Sequence, residues 1–121
     1  MHLASVRIFV TDLPAAAKFY AEAVGLEQVW SSADAVVFGR KPMLVIEAAD
    51  AEAHAEGLVA RFTGVAFATD DAAALYGKLT RAGVPTEGAP ERQPWGGILL
   101  HAKDPSGNTI TFLQAPKGSD P

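Results

Sequence analysis

The sequence predicts an α+β domain made from two copies of one strand-helix-strands unit, and three observations predict it. A β-like run, an acidic cap, an alanine-rich helix and a glycine follow one another over residues 6–25 and again over residues 64–83. Laying residue n on residue n+58 superposes Phe9 on Phe67, Thr11 on Thr69, Asp12 on Asp70, Ala15 and Ala16 on Ala73 and Ala74, and Gly25 on Gly83. After each glycine come short apolar runs broken by Gly, Pro and Ser, the pattern of strands joined by turns.

Each element has a local reason. Residues 6–10 form the first strand, and Asp12 caps the helix after it, with Pro14 in the first turn, where its missing N–H costs nothing. Ala16, Phe19 and Ala23 recur at helical spacing, so the helix runs to Val24 and Gly25 supplies the left-handed stop. Strands are expected over 27–30, 35–38 and 43–47, and residues 48–61 read as a surface linker with room for a helical turn. The pattern restarts with a strand over 65–68, a cap in Thr69-Asp70-Asp71, a helix over 72–82 and Gly83 as its stop. Residues 84–86 are extended and 90–97 a loop. Residues 98–103 pair with 109–113 across Asp104-Pro105-Ser106-Gly107-Asn108. The whole is one domain: module one about 4–48, linker about 49–61, module two about 62–115, and a polar tail over 116–121.

Composition narrows the function. A chain of 121 residues with 49% hydrophobic and 20% charged residues is long enough to bury a core as one globular domain. It has no cysteine, which excludes disulfides, thiolate metal sites and a cysteine nucleophile. No run approaches the roughly 18 apolar residues of a membrane span, and the N-terminus lacks a secretory pattern, so a cytoplasmic location without membrane contact is expected. The net charge is −4, with ten scattered Lys and Arg, which argues against nucleic acid as a partner.

The opening, Val10-Thr11-Asp12-Leu13-Pro14 through Phe19-Tyr20 to Gly25-Leu26, resembles the start of the vicinal oxygen chelate superfamily, which groups glyoxalases, bleomycin-resistance proteins and dioxygenases. The end, Gln93-Pro94-Trp95-Gly96-Gly97 followed by Asp104-Pro105-Ser106-Gly107-Asn108, resembles that family's closing hairpin, and its Pro-Trp-Gly element is most like the bleomycin-resistance branch. The resemblance implies two βαβββ modules that curl into an open β-barrel cup around a ligand cavity. It also implies that a divalent metal would be held from Ser5, Glu47, Thr63 or Gly64, and Thr111. Only Glu47 is an ordinary donor to a hard divalent ion, and one carboxylate cannot replace the hydration shell. No metal and no cofactor are therefore expected.

If Ser5 faces the cavity, strand alternation sends Arg7 and Phe9 the same way and turns Val6, Ile8 and Val10 toward the helix. With Lys103 opposite Thr109, His101 lies opposite Thr111, on one face with Leu99. The predicted site is thus Ser5, Arg7, Phe9, Leu99 and Thr111 for ligand binding, Trp95 at the mouth, and His101 with Glu47 as candidate catalytic groups. Arg7 and Glu47 have an equal claim to being a structural ion pair. The function these residues imply is a bleomycin-resistance-like protein that binds a small organic molecule without the family's metal, as a homodimer. The alternative is a lyase, isomerase or dioxygenase, in a metal-free version using His101 as acid or base.

Overall fold

Alternating side chains set the first unit. In a computed structural model that describes residues 1–118, strand β1 (Ser5–Val10) buries Ile8 and Val10 and exposes Arg7. Helix α1 (Leu13–Lys18) begins where the Asp12 carboxylate accepts from the Ala15 N–H at 3.1 Å, satisfying one orphan donor of the first turn. The helix continues over Phe19–Ala23 with a wider π-type turn, in which Val24 N–H reaches back to Phe19 O. That stretch sets Phe19 and Tyr20 into the core, their rings edge to face at 5.0 Å. Gly25 ends it at φ +85°. Strands β2 (Gln28–Ser31), β3 (Ala35–Phe38) and β4 (Met43–Ala48) complete a sheet in the order β1-β4-β3-β2, with β1 and β4 parallel and the other pairs antiparallel. Ile8, Val36, Phe38, Leu44 and Ile46 form its buried face.

A short helix α2 (Ala51–Ala55), capped by Asp50, fills part of the expected linker. The second unit contains β5 (Phe62–Ala68) over most of its length, α3 (Ala72–Arg81), the two-residue β6 (Glu91–Arg92), β7 (Ile98–Lys103) and β8 (Thr109–Gln114). Its strand order is β5-β8-β7-β6, the same plan as the first sheet. Leu79, Leu100, Ala102, Ile110 and Phe112 are its core, and Phe67 packs its ring 6.0 Å from that of Phe112. The fold class is α+β with two strand-helix-strands units, as the duplicated pattern predicts. The strand β6 lies where a loop was expected.

The duplication holds with a different register. The N-cap of α3 is Asp71, whose carboxylate accepts from Ala74 N–H at 3.0 Å, whereas the n+58 superposition equates Asp12 with Asp70. Caps and strands correspond at an offset of 59, which pairs Ile8 with Phe67 as residues turned toward the helix; Phe9 stands on the opposite face of its strand. The stops Gly25 and Gly83 keep the offset of 58. From cap to glycine the first unit has 13 positions and the second 12. The extra residue is taken up by the π turn, since i→i+5 bonding accommodates one more residue per turn than α-helical bonding.

The described residues form two compact units, one of residues 1–63 with 105–108 and another of residues 64–104 with 109–118. The turn 105–108 belongs to the first unit for a visible reason. The Asn108 amide donates to Phe9 O at 2.8 Å, and the Ser106 hydroxyl accepts from the Thr11 N–H at 2.9 Å. Gly107, at φ +84°, runs against Ala60. The last three residues of the expected tail, 119–121, lie outside the described residues.

Candidate functional site

The eight predicted site residues fall into two groups, Ser5, Arg7, Phe9 and Glu47 in the first unit, and Trp95, Leu99, His101 and Thr111 in the second. In the first, the parallel register places Phe9 beside Glu47 and Arg7 beside Val45. Arg7 therefore reaches diagonally to Glu47 and meets it side on, Nε to Oε1 at 2.5 Å and Nη2 to Oε2 at 3.0 Å. Its guanidinium also lies 5.1 Å from the centre of the Phe9 ring, within cation–π range. The hydrogen bond and the charge of Glu47 raise the Arg7 pKa above its already high value, so this cation does not titrate near neutrality. Of the five N–H donors of a guanidinium, one on Nε and one on Nη2 go to Glu47. Ser5, next to Met43, stands on the same face two residues before Arg7.

One residue of this face escaped the sequence reading. Arg7, Val45, Val37 and Trp30 form one row across the four strands, so Trp30, 57% exposed, shares the face of the ion pair. The irregularity between Gln28 and Trp30 shifts the strand register, and simple alternation from Gln28 does not survive it. An exposed tryptophan on an edge strand was the available signal.

In the second unit the hairpin register pairs Leu99 with Leu113, His101 with Thr111 and Lys103 with Thr109. His101 Nδ1 and Thr111 Oγ1 are 2.8 Å apart, Thr111 buried and His101 half-buried. This contact fixes the ring orientation. In the part of β5 that belongs to the second unit the outward residues are Gly64, Ala66 and Ala68, so that part adds little bulk to its face of the sheet. Trp95 sits in the turn closed by Gln93 N–H to Gly97 O at 2.7 Å, and its side chain is 56% exposed. Its ring covers the bare Cα of buried Gly97, where any Cβ would collide with it. Gly97→Ala is expected to swing Trp95 off the turn, read as a change in tryptophan emission and in acrylamide quenching with the fold retained by far-UV dichroism; an unchanged emission spectrum contradicts the stacking.

The donor set does not fit the metal that the resemblance implies. Among the described residues no three His, Asp or Glu come together where a metal ion could be held. Glu47 has both carboxylate oxygens engaged by Arg7, and the other positions are Ser5, Thr63 or Gly64, and Thr111.

A separate cavity of about 640 Å³ opens within the second unit, between the end of β5, the 92–98 turn and the segment after β8. None of the eight predicted residues lines it.

Comparison with known proteins shows the family. The family model described as the Glyoxalase/Bleomycin resistance protein/Dioxygenase superfamily matches residues 2–112. A solved member of that superfamily from Sphaerobacter thermophilus is 26% identical with a TM-score of 0.79, covering 95% of this chain and 98% of its own. TnmS3, an antibiotic binding protein from Streptomyces sp. CB03234, is 26% identical with a TM-score of 0.72, covering 94% of this chain and 95% of its own. Lactoylglutathione lyase from Agrobacterium tumefaciens is 25% identical with a TM-score of 0.73, covering 93% and 92%. No curated protein sequence matches the chain.

Proposed function

The chain belongs to the Glyoxalase/Bleomycin resistance protein/Dioxygenase superfamily, and from that premise we propose that it is a metal-independent member that binds a small organic ligand against its Arg7–Glu47 face. The observation that carries this reading is the state of Glu47. Its two oxygens are both held by Arg7, so a divalent ion would have to displace a permanent cation. Ser5, Thr63, Gly64 and Thr111 bring no charge to offset that. The face also has the make-up of a small-molecule site, a few polar groups among apolar ones: Phe9 under the guanidinium, then Val45 and Trp30. The likeness to an antibiotic binding protein supports binding without chemistry.

Elemental analysis of protein purified from metal-supplemented cells tests the claim directly. Far less than one ion per chain is expected; stoichiometric Zn, Ni, Mn or Fe overturns it.

One observation favours a second reading, a metal-free lyase, isomerase or dioxygenase. The 2.8 Å contact with Thr111 holds His101 in one orientation, as a general acid or base requires. The likeness to a lactoylglutathione lyase points the same way. His101→Ala separates the readings: an enzyme loses about 100-fold or more in turnover, and a binder keeps its ligand. A homodimer belongs to both readings, because each sheet leaves edge strands that a second copy can cover, and a dimer mass by size exclusion with light scattering checks it. Both also place the protein in the cytoplasm, and among the described residues no helix is long and apolar enough to cross a membrane.

A further inference from the structure

The cavity of the second unit has its own chemistry, independent of the Arg7–Glu47 face. Ala68, Ile98, Leu113 and Pro116 give it an apolar wall. Arg92 and Lys117 bring two cations to its rim against the single carboxylate of Asp70, in a chain whose net charge is −4. The local sign is thus opposite to that of the whole molecule. The other polar groups at the wall are largely committed. Gln114 Oε1 accepts from the Ala72 N–H at 2.8 Å, and the Thr69 N–H donates to Leu113 O at 2.9 Å. The Ala74 N–H of the same helix turn is taken by Asp71. Arg92 makes one long contact, Nη1 to Gly96 O at 3.4 Å, which leaves its remaining donors for another partner. Gly96 itself, at φ +96°, lets the turn approach Pro116, where an added Cβ would lie 3.4 Å from the proline ring. A volume of about 640 Å³ is within the range that encloses drug-sized molecules.

We propose that this cavity is a second ligand site, taking a small amphipathic carboxylate whose apolar body lies on Ile98 and Pro116 and whose carboxylate meets Arg92 and Lys117. A carboxylate gains charge-assisted hydrogen bonds from the guanidinium that a neutral or cationic analogue of the same shape does not. Asp70 repels a second negative charge, which favours a monoanion.

The test uses 1-naphthoate and, as its cationic counterpart, 1-naphthylmethylamine, added to the isotope-labelled full chain and followed by amide shifts. Naphthoate is expected to move Thr69, Gly96 and Leu113 saturably, and the amine is not. Arg92→Ala with Lys117→Ala is expected to weaken naphthoate about tenfold or more. Ile98→Ala, which removes apolar wall on the face that Ile98 shares with Arg92, is expected to weaken naphthoate as well, in a protein whose spectrum remains dispersed. Shifts confined to Phe9 and Glu47, equal response to the amine, or an affinity unchanged in the double variant would each overturn the proposal. The first of these outcomes would leave the Arg7–Glu47 reading standing, so the two sites fail separately.

Discussion

Replacing Asn108 by Ala is expected to cost about 2 kcal/mol of stability and to lower the melting temperature by roughly 5–10 °C. The side chain is fully buried, with 0% exposure, and works at both ends. Its Nδ2 donates to Phe9 O at 2.8 Å and its Oδ1 accepts from the Arg61 N–H at 3.4 Å. Truncation leaves a part-buried carbonyl on β1 without that donor, and the cost of leaving such a group unsatisfied exceeds the net gain of an ordinary hydrogen bond. Asn108→Asp is expected to be at least as damaging at neutral pH, because it sets a carboxylate oxygen against the Phe9 carbonyl although the shape is unchanged. Ser106→Ala, which removes a more exposed contact to Thr11, serves as the mild comparison, with a loss below about 1 kcal/mol. Urea unfolding curves measure all three. An Asn108→Ala protein within experimental error of the parent would show that the turn contributes nothing through this side chain.

The second large effect is on binding rather than stability. Arg7→Ala is expected to weaken acceptor-bearing ligands found in a thermal-shift screen of aromatic metabolites by about tenfold to a hundredfold, the worth of one or two hydrogen bonds to a charged donor. The melting temperature should hardly move, since the Arg7 side chain is 58% exposed and an exposed ion pair contributes little to folding. Arg7→Lys keeps the charge but not the planar fork, so it is expected to fall between the two. Glu47→Gln frees the guanidinium from its carboxylate and is expected to shift preference toward anionic ligands. Isothermal titration with the screened ligands reads each affinity. Unchanged affinity in Arg7→Ala would move the ligand away from this face and sink the proposed function.

Much of this was legible in the chain because it rests on short-range rules. The Asp12 cap and Pro14 fix the start of the first helix and Gly25 its end, each by local chemistry, and strand alternation separates Ile8 and Val10 from Arg7 and Phe9. The hairpin register follows from its turn, so the pairing of His101 with Thr111 needed only the position of residues 104–108. Where a local irregularity intervenes, such rules slip. The π turn over Phe19–Ala23 moves the correspondence of the two units from 59 at the strands and caps to 58 at the glycine stops, and the bulge in β2 hides Trp30.

The sequence by itself determined the duplicated α+β plan, the turn chemistry and which residues each regular strand turns to one face, since all three depend on neighbours within a few positions. Only the tertiary structure decided that Arg7 closes on Glu47 across 40 residues of chain, that Asn108 is buried under Phe9 O, 99 positions away, and that three separate segments border one cavity in the second unit. Those outcomes depend on which strands become neighbours and on how far each is displaced along the other, and no local preference encodes that.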